Sequence, residues 1–210
     1  MRYPLIVFDF DGTLADSWAS AVAIFHRIGP GLGLKPIADP EAARSMPTKE
    51  FMRALGITFW KLPKVVRAYQ AAAAIDADKL KLFPTWPGVL ETLAARGHRL
   101  GVLSSNREDS IRACFRANGV ERYFAFVVGY PKLFGKAKAL RRILKQERAD
   151  RASLLYVGDE VRDVTAAKKA RVAVAAVSWG FHAEVLLRAE GPDLVLAEPG
   201  ELVVIGGSSA

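Results

Sequence analysis

Five short apolar runs, at residues 5–8, 100–103, 126–128, 154–157 and 172–177, constrain this chain more than any other feature. A strand apolar at every position is buried on both faces. That is the mark of a parallel sheet covered by helices, not of an antiparallel sheet with one wet face. The segments between the runs have helical period. Residues 89–96 follow Pro87 and stop at Gly97, which suits the left-handed conformation that ends a helix. Residues 110–117 end at Asn118-Gly119, and residues 137–146 set Leu140, Ile143 and Leu144 on one face. Strand–helix alternation from residue 87 onward predicts an α/β fold: a Rossmann-like, doubly wound parallel sheet with right-handed crossovers.

Between the first and second runs the texture changes. Residues 16–84 hold no convincing strand but several helical stretches, at 17–28, at 48–55 and from about 61 to 82. Pro30, Gly31, Gly33, Pro36 and Pro40 separate the first of these from the second. This is too long for a simple crossover. Residues 16–84 are therefore expected to form an α-helical subdomain inserted into a core of residues 1–15 and 85–210, with hinges at Asp11–Thr13 and Phe83–Pro87. Trp18, Trp60 and Trp86 are expected in packed interiors, and the tail from Gly206 to Ala210 is expected to fray.

Composition excludes several classes. With 51% hydrophobic and 25% charged residues, the chain is too apolar for disorder. No apolar run approaches the ~20 residues that span a bilayer, and residues 1–8 run into Asp9 instead of a signal-peptide cleavage site. The single cysteine, Cys114, excludes an internal disulfide and any multi-cysteine metal site. It reads as a small buried hydrophobe, and the expectation is a soluble, cytoplasmic protein. Thirty basic against 22 acidic residues give a net charge of +8, but without basic tracts or aromatic-interleaved basic strands. A solvated surface with some bias toward anionic small molecules is expected, and no nucleic acid. Residues 16–84 carry ten Lys/Arg against six Asp/Glu, in keeping with that bias.

The chemistry sits at the ends of the apolar runs. Asp9-Phe10-Asp11-Gly12-Thr13-Leu14 comes directly after the first. In open parallel sheets ligands bind outside the carboxyl ends of the strands, so both aspartates fall in a site mouth. There two carboxylates can divide the labour, one ionised as a nucleophile and one protonated as a general acid. Gly12 allows a tight turn and close backbone approach to a ligand. Asp-Gly alone would be an ordinary turn; the six-residue string is more specific. Ser104-Ser105-Asn106 ends the second run with hydroxyls and N–H groups that suit a phosphate, although such residues also cap helices. Lys136 begins a helix, with Lys138 close enough to be confused with it. Asp159 and Asp163 come after the fourth run, four residues apart, where they could face a hard cation or merely enrich a helix N-terminus. Together Asp9, Asp11, Asp159 and Asp163 bring up to four negative charges, which demands a counter-cation before any anionic substrate enters. His26, His98 and His182 have no metal-ligand spacing and read as structural.

Taken in order, Asp-x-Asp-Gly-Thr-Leu, Ser104, Lys136 and Gly158-Asp-x-x-x-Asp163 resemble the haloacid dehalogenase-like phosphohydrolases. The resemblance runs from Leu5 to about Ala197, within the branch of phosphoglycolate phosphatases and β-phosphoglucomutase, which carries a helical cap after the first motif. It implies that Asp9 is the nucleophile that becomes an aspartyl-phosphate. Asp11 would protonate the leaving oxygen and then activate water. Ser104 would bind the transferring phosphate and Lys136 would offset negative charge. Mg²⁺ would be held by Asp9, Asp159 and the Asp11 carbonyl, with Asp163 supporting that shell. Gly12, Thr13, Ser105 and Asn106 join Ser104 and Lys136 as expected substrate contacts. Lys35, Arg44 and Lys49 are candidates for a substrate carboxylate. Trp179-Gly180 resembles the family's Trp-Gly turn near the site. The second aspartate argues against carbon–halogen cleavage.

The expected activity is hydrolysis of a small phosphorylated metabolite, phosphoglycolate first, by a monomer or homodimer with no membrane or nucleic-acid partner. A sugar phosphomutase and a catalytically silent phosphate-binding protein are the alternatives. Two departures from the family pattern stand out: Glu160 adds an acid beside the metal, and Ala170-Arg171 replaces Ala-Gly, so that helix is expected to end differently.

Overall fold

The computed structural model describes residues 2–129 and 135–207. Six parallel strands form one sheet: β1 (Leu5–Phe8), β2 (Arg99–Ser104), β3 (Phe124–Gly129), β4 (Leu154–Gly158), β5 (Ala173–Val177) and β6 (Leu194–Leu196). Their order is β3-β2-β1-β4-β5-β6. The chain winds outward one way from β1 and then the other way from β4, so the topological switch lies between those two strands. Register aligns Phe8 with Val102 on one side and Val157 on the other.

Ten helices are described: α1 (Trp18–Ile28), α2 (Pro40–Arg44), α3 (Thr48–Ala54), α4 (Leu62–Ile75), α5 (Trp86–Ala95), α6 (Glu108–Ala117), α7 (Lys136–Glu147), α8 (Val161–Ala170), α9 (Glu184–Ala189) and α10 (Glu201–Gly207). Alternation along β1 feeds both faces of the sheet. Ile6 and Phe8 pack with Leu90 and Leu93 of α5, Ile111 and Phe115 of α6, and Leu202 of α10. Leu5 and Val7 pack with Leu140 and Ile143 of α7, Val164 and Ala167 of α8, and Leu187 of α9. This two-sided covering is why all four residues of β1 are buried. Cys114 is buried in the first of these faces.

Among the described residues no named strand lies between β1 and β2. Helices α1–α4 fill that stretch and have a small core of their own, with Phe25, Leu34, Ile37, Leu55 and Val65. The long helix expected to reach residue 82 stops at Ile75, where Asp76 accepts from Lys79 Nζ at 2.7 Å and the chain turns. The residues after it run back beside the chain leaving β1. Ala15 bridges Leu82, Asp16 N–H donates to Lys81 O at 2.9 Å, and Phe83 N–H donates to Leu14 O at 3.1 Å. The two crossings are thus paired at residues 14–16 and 81–83.

Two other expectations need correction, and a sixth strand joins the five expected. Trp60 is not in a packed interior: it is 87% exposed, stacked edge-on against an exposed Phe59. Helix α8 ends as a glycine-terminated helix would, because Arg171 itself adopts the left-handed conformation at φ 61°. Strand β6 carries no signal in the sequence beyond three apolar residues after Pro192-Asp193. Of the tail, Gly206 and Gly207 close α10, and residues 208–210 lie outside the described residues. No described helix is long and apolar enough to cross a membrane.

Candidate active site

Because β1, β2 and β4 are parallel neighbours, the residues just beyond them meet at one edge of the sheet. Asp9 continues the β1 ladder by one bond, its N–H donating to Val157 O at 2.8 Å. The Asp9 side chain is buried, with Oδ1 accepting from Phe10 N–H at 2.8 Å and Oδ2 paired with Lys136 Nζ at 2.5 Å. Lys136 opens α7 and is only 3% exposed; its ammonium also reaches Asp163 Oδ1 at 2.6 Å. Lys138, the other reading of that motif, is exposed. Below the pair, the Tyr156 hydroxyl donates to Asp163 Oδ1 at 3.3 Å, and the tyrosine ring lies 5.7 Å from Nζ.

Asp159, also fully buried, is gripped from two sides. Its Oδ1 accepts from the Thr13 hydroxyl at 2.7 Å and its Oδ2 from Phe181 N–H at 2.7 Å. Two glycines make room for it. A Cβ on Gly12, whose φ is +72°, would stand 2.2 Å from Asp159 Oδ2, and one on Gly180 would stand 2.2 Å from Asp159 Cβ. Trp179 Nε1 donates to Thr13 O at 3.1 Å, so the Trp-Gly turn does border the site.

Asp9, Asp159 and Asp163 each place a carboxylate oxygen within 4.8 Å of the others. Burial pushes Asp159 well above the usual carboxylate range, and Glu160, Asp9 and Asp163 add to it. Burial also raises Asp9, to about 7, against the pull of Lys136. Asp163 goes the other way: burial would raise it, but Lys136 and Arg162 hold it below its ordinary value. Three buried carboxylates facing one ammonium form a hard, oxygen-only donor set with too little positive charge, which fits a divalent cation of the Mg²⁺ or Ca²⁺ kind better than a soft metal. Asp11 is half-buried. Burial raises its pKa, offset by bonds from Asn106 and Ser17; Asn106 Nδ2 donates to Asp11 Oδ2 at 3.1 Å.

Several predicted substrate contacts are turned inward. Gly12 N–H donates to Ala15 O at 3.0 Å and Ser17 Oγ at 3.1 Å, and the Thr13 hydroxyl serves Asp159. Ser104 is buried, its Oγ accepting from Asn106 N–H at 3.1 Å. Lys35 and Lys49 are exposed and make no side-chain contact with the site. Arg44 is a latch between the helical segment and the sheet edge: Nη2 donates to Gly180 O at 2.6 Å, and its carbonyl accepts from Ala183 N–H at 2.8 Å. Glu160 is not a free acid but an ion-pair partner of Arg162. Its carboxylate also helps close the capping box of α8.

Sequence reasoning missed Tyr156, hidden in an apolar run, and Arg162, which reads as a helix-surface residue. It also missed Tyr69 and Gln70 of α4, which carry no motif at all. Gln70 Nε2 donates to Ser105 O at 2.7 Å, a second latch. Tyr69 lines a cavity of about 160 Å³, bounded also by Asp11, Ser17, Ser20, Arg27 and Asn106.

Comparison with known proteins agrees with this geometry. The profile of the haloacid dehalogenase-like hydrolase family matches residues 6–177, and the chain belongs to that family. Among its relatives, a phosphoglycolate phosphatase from Synechococcus elongatus is 34% identical over 200 residues, covering 94% of each chain. A 5'-nucleotidase from Pseudomonas aeruginosa is 30% identical over 203 residues, covering 91% of this chain and 90% of the other. A solved structure of a predicted phosphatase from Clostridium acetobutylicum has the same fold, with a TM-score of 0.83 at 20% identity and 98% coverage of both chains. The chain is thus a hydrolase, and the relatives just described carry phosphatase and nucleotidase names.

Proposed function

We propose that this protein hydrolyses a small phosphate monoester, 2-phosphoglycolate first among candidates, through an aspartyl-phosphate on Asp9 with Mg²⁺ as cofactor. The observation that carries this reading is the buried Asp9–Lys136–Asp163 chain at the sheet edge, with Asp159 beside it and Asp11 facing a small cavity. A carboxylate of Asp9 attacks phosphorus, the ester P–O bond breaks, and Asp11 gives its proton to the leaving oxygen. Asp11, now ionised, takes a proton from water as that water attacks the phosphoryl group. Inorganic phosphate departs and the Asp9 carboxylate is restored. A raised pKa suits Asp11 to the first of these proton transfers. Lys136 favours the ionised form of Asp9 against burial and neutralises charge on the transferring group, while Ser104 and the loop after it bind phosphoryl oxygens. A divalent cation held by Asp9, Asp159 and the Asp11 carbonyl, with Asp163 behind them, would add electrostatic stabilisation of the phosphoryl group.

Residues 16–84 serve as a cap on a core of residues 1–15 and 85–210. Its latches at Arg44 and Gln70 close the site and exclude bulk water. The cavity of about 160 Å³ beside Asp11 suits a small leaving group. The test is release of inorganic phosphate from a panel of small monoesters with Mg²⁺ and with EDTA. Mg²⁺-dependent release is expected from wild type and none from Asp9→Asn. Undiminished release from Asp9→Asn would refute the reading, and an isomerised product without free phosphate would favour the mutase.

A further inference from the structure

The proposed mechanism gives no role to Arg162, although this side chain lies beside the phosphoryl end of the site, against Ser105. Arg162 is the second residue of α8, between Val161 and Asp163. Its Nη2 pairs with Glu160 and approaches Ser105 Oγ at 3.5 Å. Its Nε and Nη1 are buried and have no hydrogen-bond partner among the described residues. Buried donors without acceptors are rare in folded proteins, and one at a ligand site is best explained by a group that the ligand supplies. Lys136 contacts Asp9 and Asp163 directly, whereas Arg162 acts on them only through space and leaves Nε and Nη1 unpaired among the described residues.

Position says which part of a substrate Arg162 would meet. Ser105, against which the guanidinium rests, is the residue whose carbonyl binds Gln70 of the cap. Ser105 is followed by Asn106, whose side-chain amide donates to Asp11 Oδ2 at 3.1 Å. Arg162 therefore lies at the junction of cap and core, on the same side as the proposed leaving-group acid. A planar guanidinium with free N–H bonds matches a carboxylate better than a neutral group or a point charge would.

Resting on the phosphatase reading, we infer that Arg162 is a specificity-determining residue. It binds a second anionic group, a carboxylate, on the leaving-group side of the phosphate ester. Glu160 holds the guanidinium in place through Nη2 and leaves Nε and Nη1 for the substrate. The preferred substrates are then short phosphate esters bearing a carboxylate near the ester oxygen, and neutral esters of the same size are poor ones.

The test compares kcat/KM for 2-phosphoglycolate with that for its carboxamide, carbamoylmethyl phosphate, a neutral counterpart of the same size and shape. In Arg162→Met the ratio of the two is expected to fall about ten- to a hundredfold, the worth of a charge-assisted contact. In Arg162→Lys it should fall less. An unchanged ratio in Arg162→Met overturns the inference, even if both rates drop together. So does a ratio that collapses in Arg27→Met but not in Arg162→Met, because Arg27 is the cation lining the cavity. Should Arg162→Met not fold, wild type still decides. 3-Phosphonopropionate should inhibit at least tenfold more tightly than propylphosphonate, and equal inhibition refutes the inference. Failure of the wild type to hydrolyse any monoester would instead refute the phosphatase reading itself.

Discussion

Replacing Lys136 with methionine removes the one ammonium in contact with two buried carboxylates, and the consequences can be worked through. Lys136 Nζ lies 2.5 Å from Asp9 Oδ2 and 2.6 Å from Asp163 Oδ1, and the three side chains are 3%, 2% and 0% exposed. Stranding a buried charge by deleting its partner costs about 3–5 kcal/mol. For a domain of this size that is a fall in Tm of roughly 6–20 °C. The loss should depend on pH, and its sign can be read from the shifts. Burial would lower the Lys136 pKa, but Asp163 and Asp9 raise it, so the lysine's contribution is complete at neutral pH and lost only in strong alkali. Asp163 is held low by Lys136, so its share is present at neutral pH and lost in acid. Asp9, at about 7, takes up a proton just below neutrality. The deficit of Lys136→Met should therefore be largest near pH 8 and shrink toward pH 5, as the stranded carboxylates become neutral. Thermal melts of both proteins in EDTA across that range would measure it. Turnover should fall on the order of 10²–10³-fold, as on removing a preorganised charge from a transition state. A Tm within 2 °C of wild type at pH 8, or an equal loss of turnover in Lys138→Met, would refute the reasoning, because Lys138 is exposed.

Two further outcomes rest on single contacts. Asn106 Nδ2 donates to Asp11 Oδ2 and so favours the ionised carboxyl. Asn106→Ala should raise the Asp11 pKa and move the alkaline limb of kcat/KM to higher pH, and a limb that moves to lower pH would show that Asp11 is not the acid of the first step. Arg171 is exposed and holds a left-handed backbone at the end of α8, so Arg171→Gly should add about 0.5–1 kcal/mol. A differential melt checks this: an increase of roughly 1–4 °C is expected, and a decrease would show that the side chain contributes more than the backbone strain costs.

Strands β1 to β5 can be read from the sequence because each carries a local apolar run; β1 and β4 are buried throughout and β2 and β5 nearly so, while β3, at the sheet edge, is apolar but partly exposed. Strand β6 cannot, since three residues are too few to show a period and its pairing with Ala175–Val177 exists only once β5 is in place. Helix α4 is shorter than its local pattern suggests because the chain turns at Asp76–Lys79 and residues 81–83 pair with the chain that leaves β1. Trp60 also departs from expectation: it lies on the stretch between α3 and α4, outside the small core of the helical segment, with its ring edge-on to Phe59.

The same division applies to the site. The acids at the strand ends, Lys136 and the glycines beside them are legible as residue types at strand termini, where backbone geometry alone sends them to one edge. Their partners are not. Thr13 meets Asp159 across 146 residues of chain, Lys136 meets Asp9 across 127, and Asn106 meets Asp11 across 95. Such contacts are set by strand order and cap closure, which no local pattern encodes. Arg162 shows the limit most clearly. In the sequence it is an ordinary helix arginine. Only the packing of α8 against the loop after β2 buries its guanidinium beside the acids and leaves two of its nitrogens without an acceptor among the described residues.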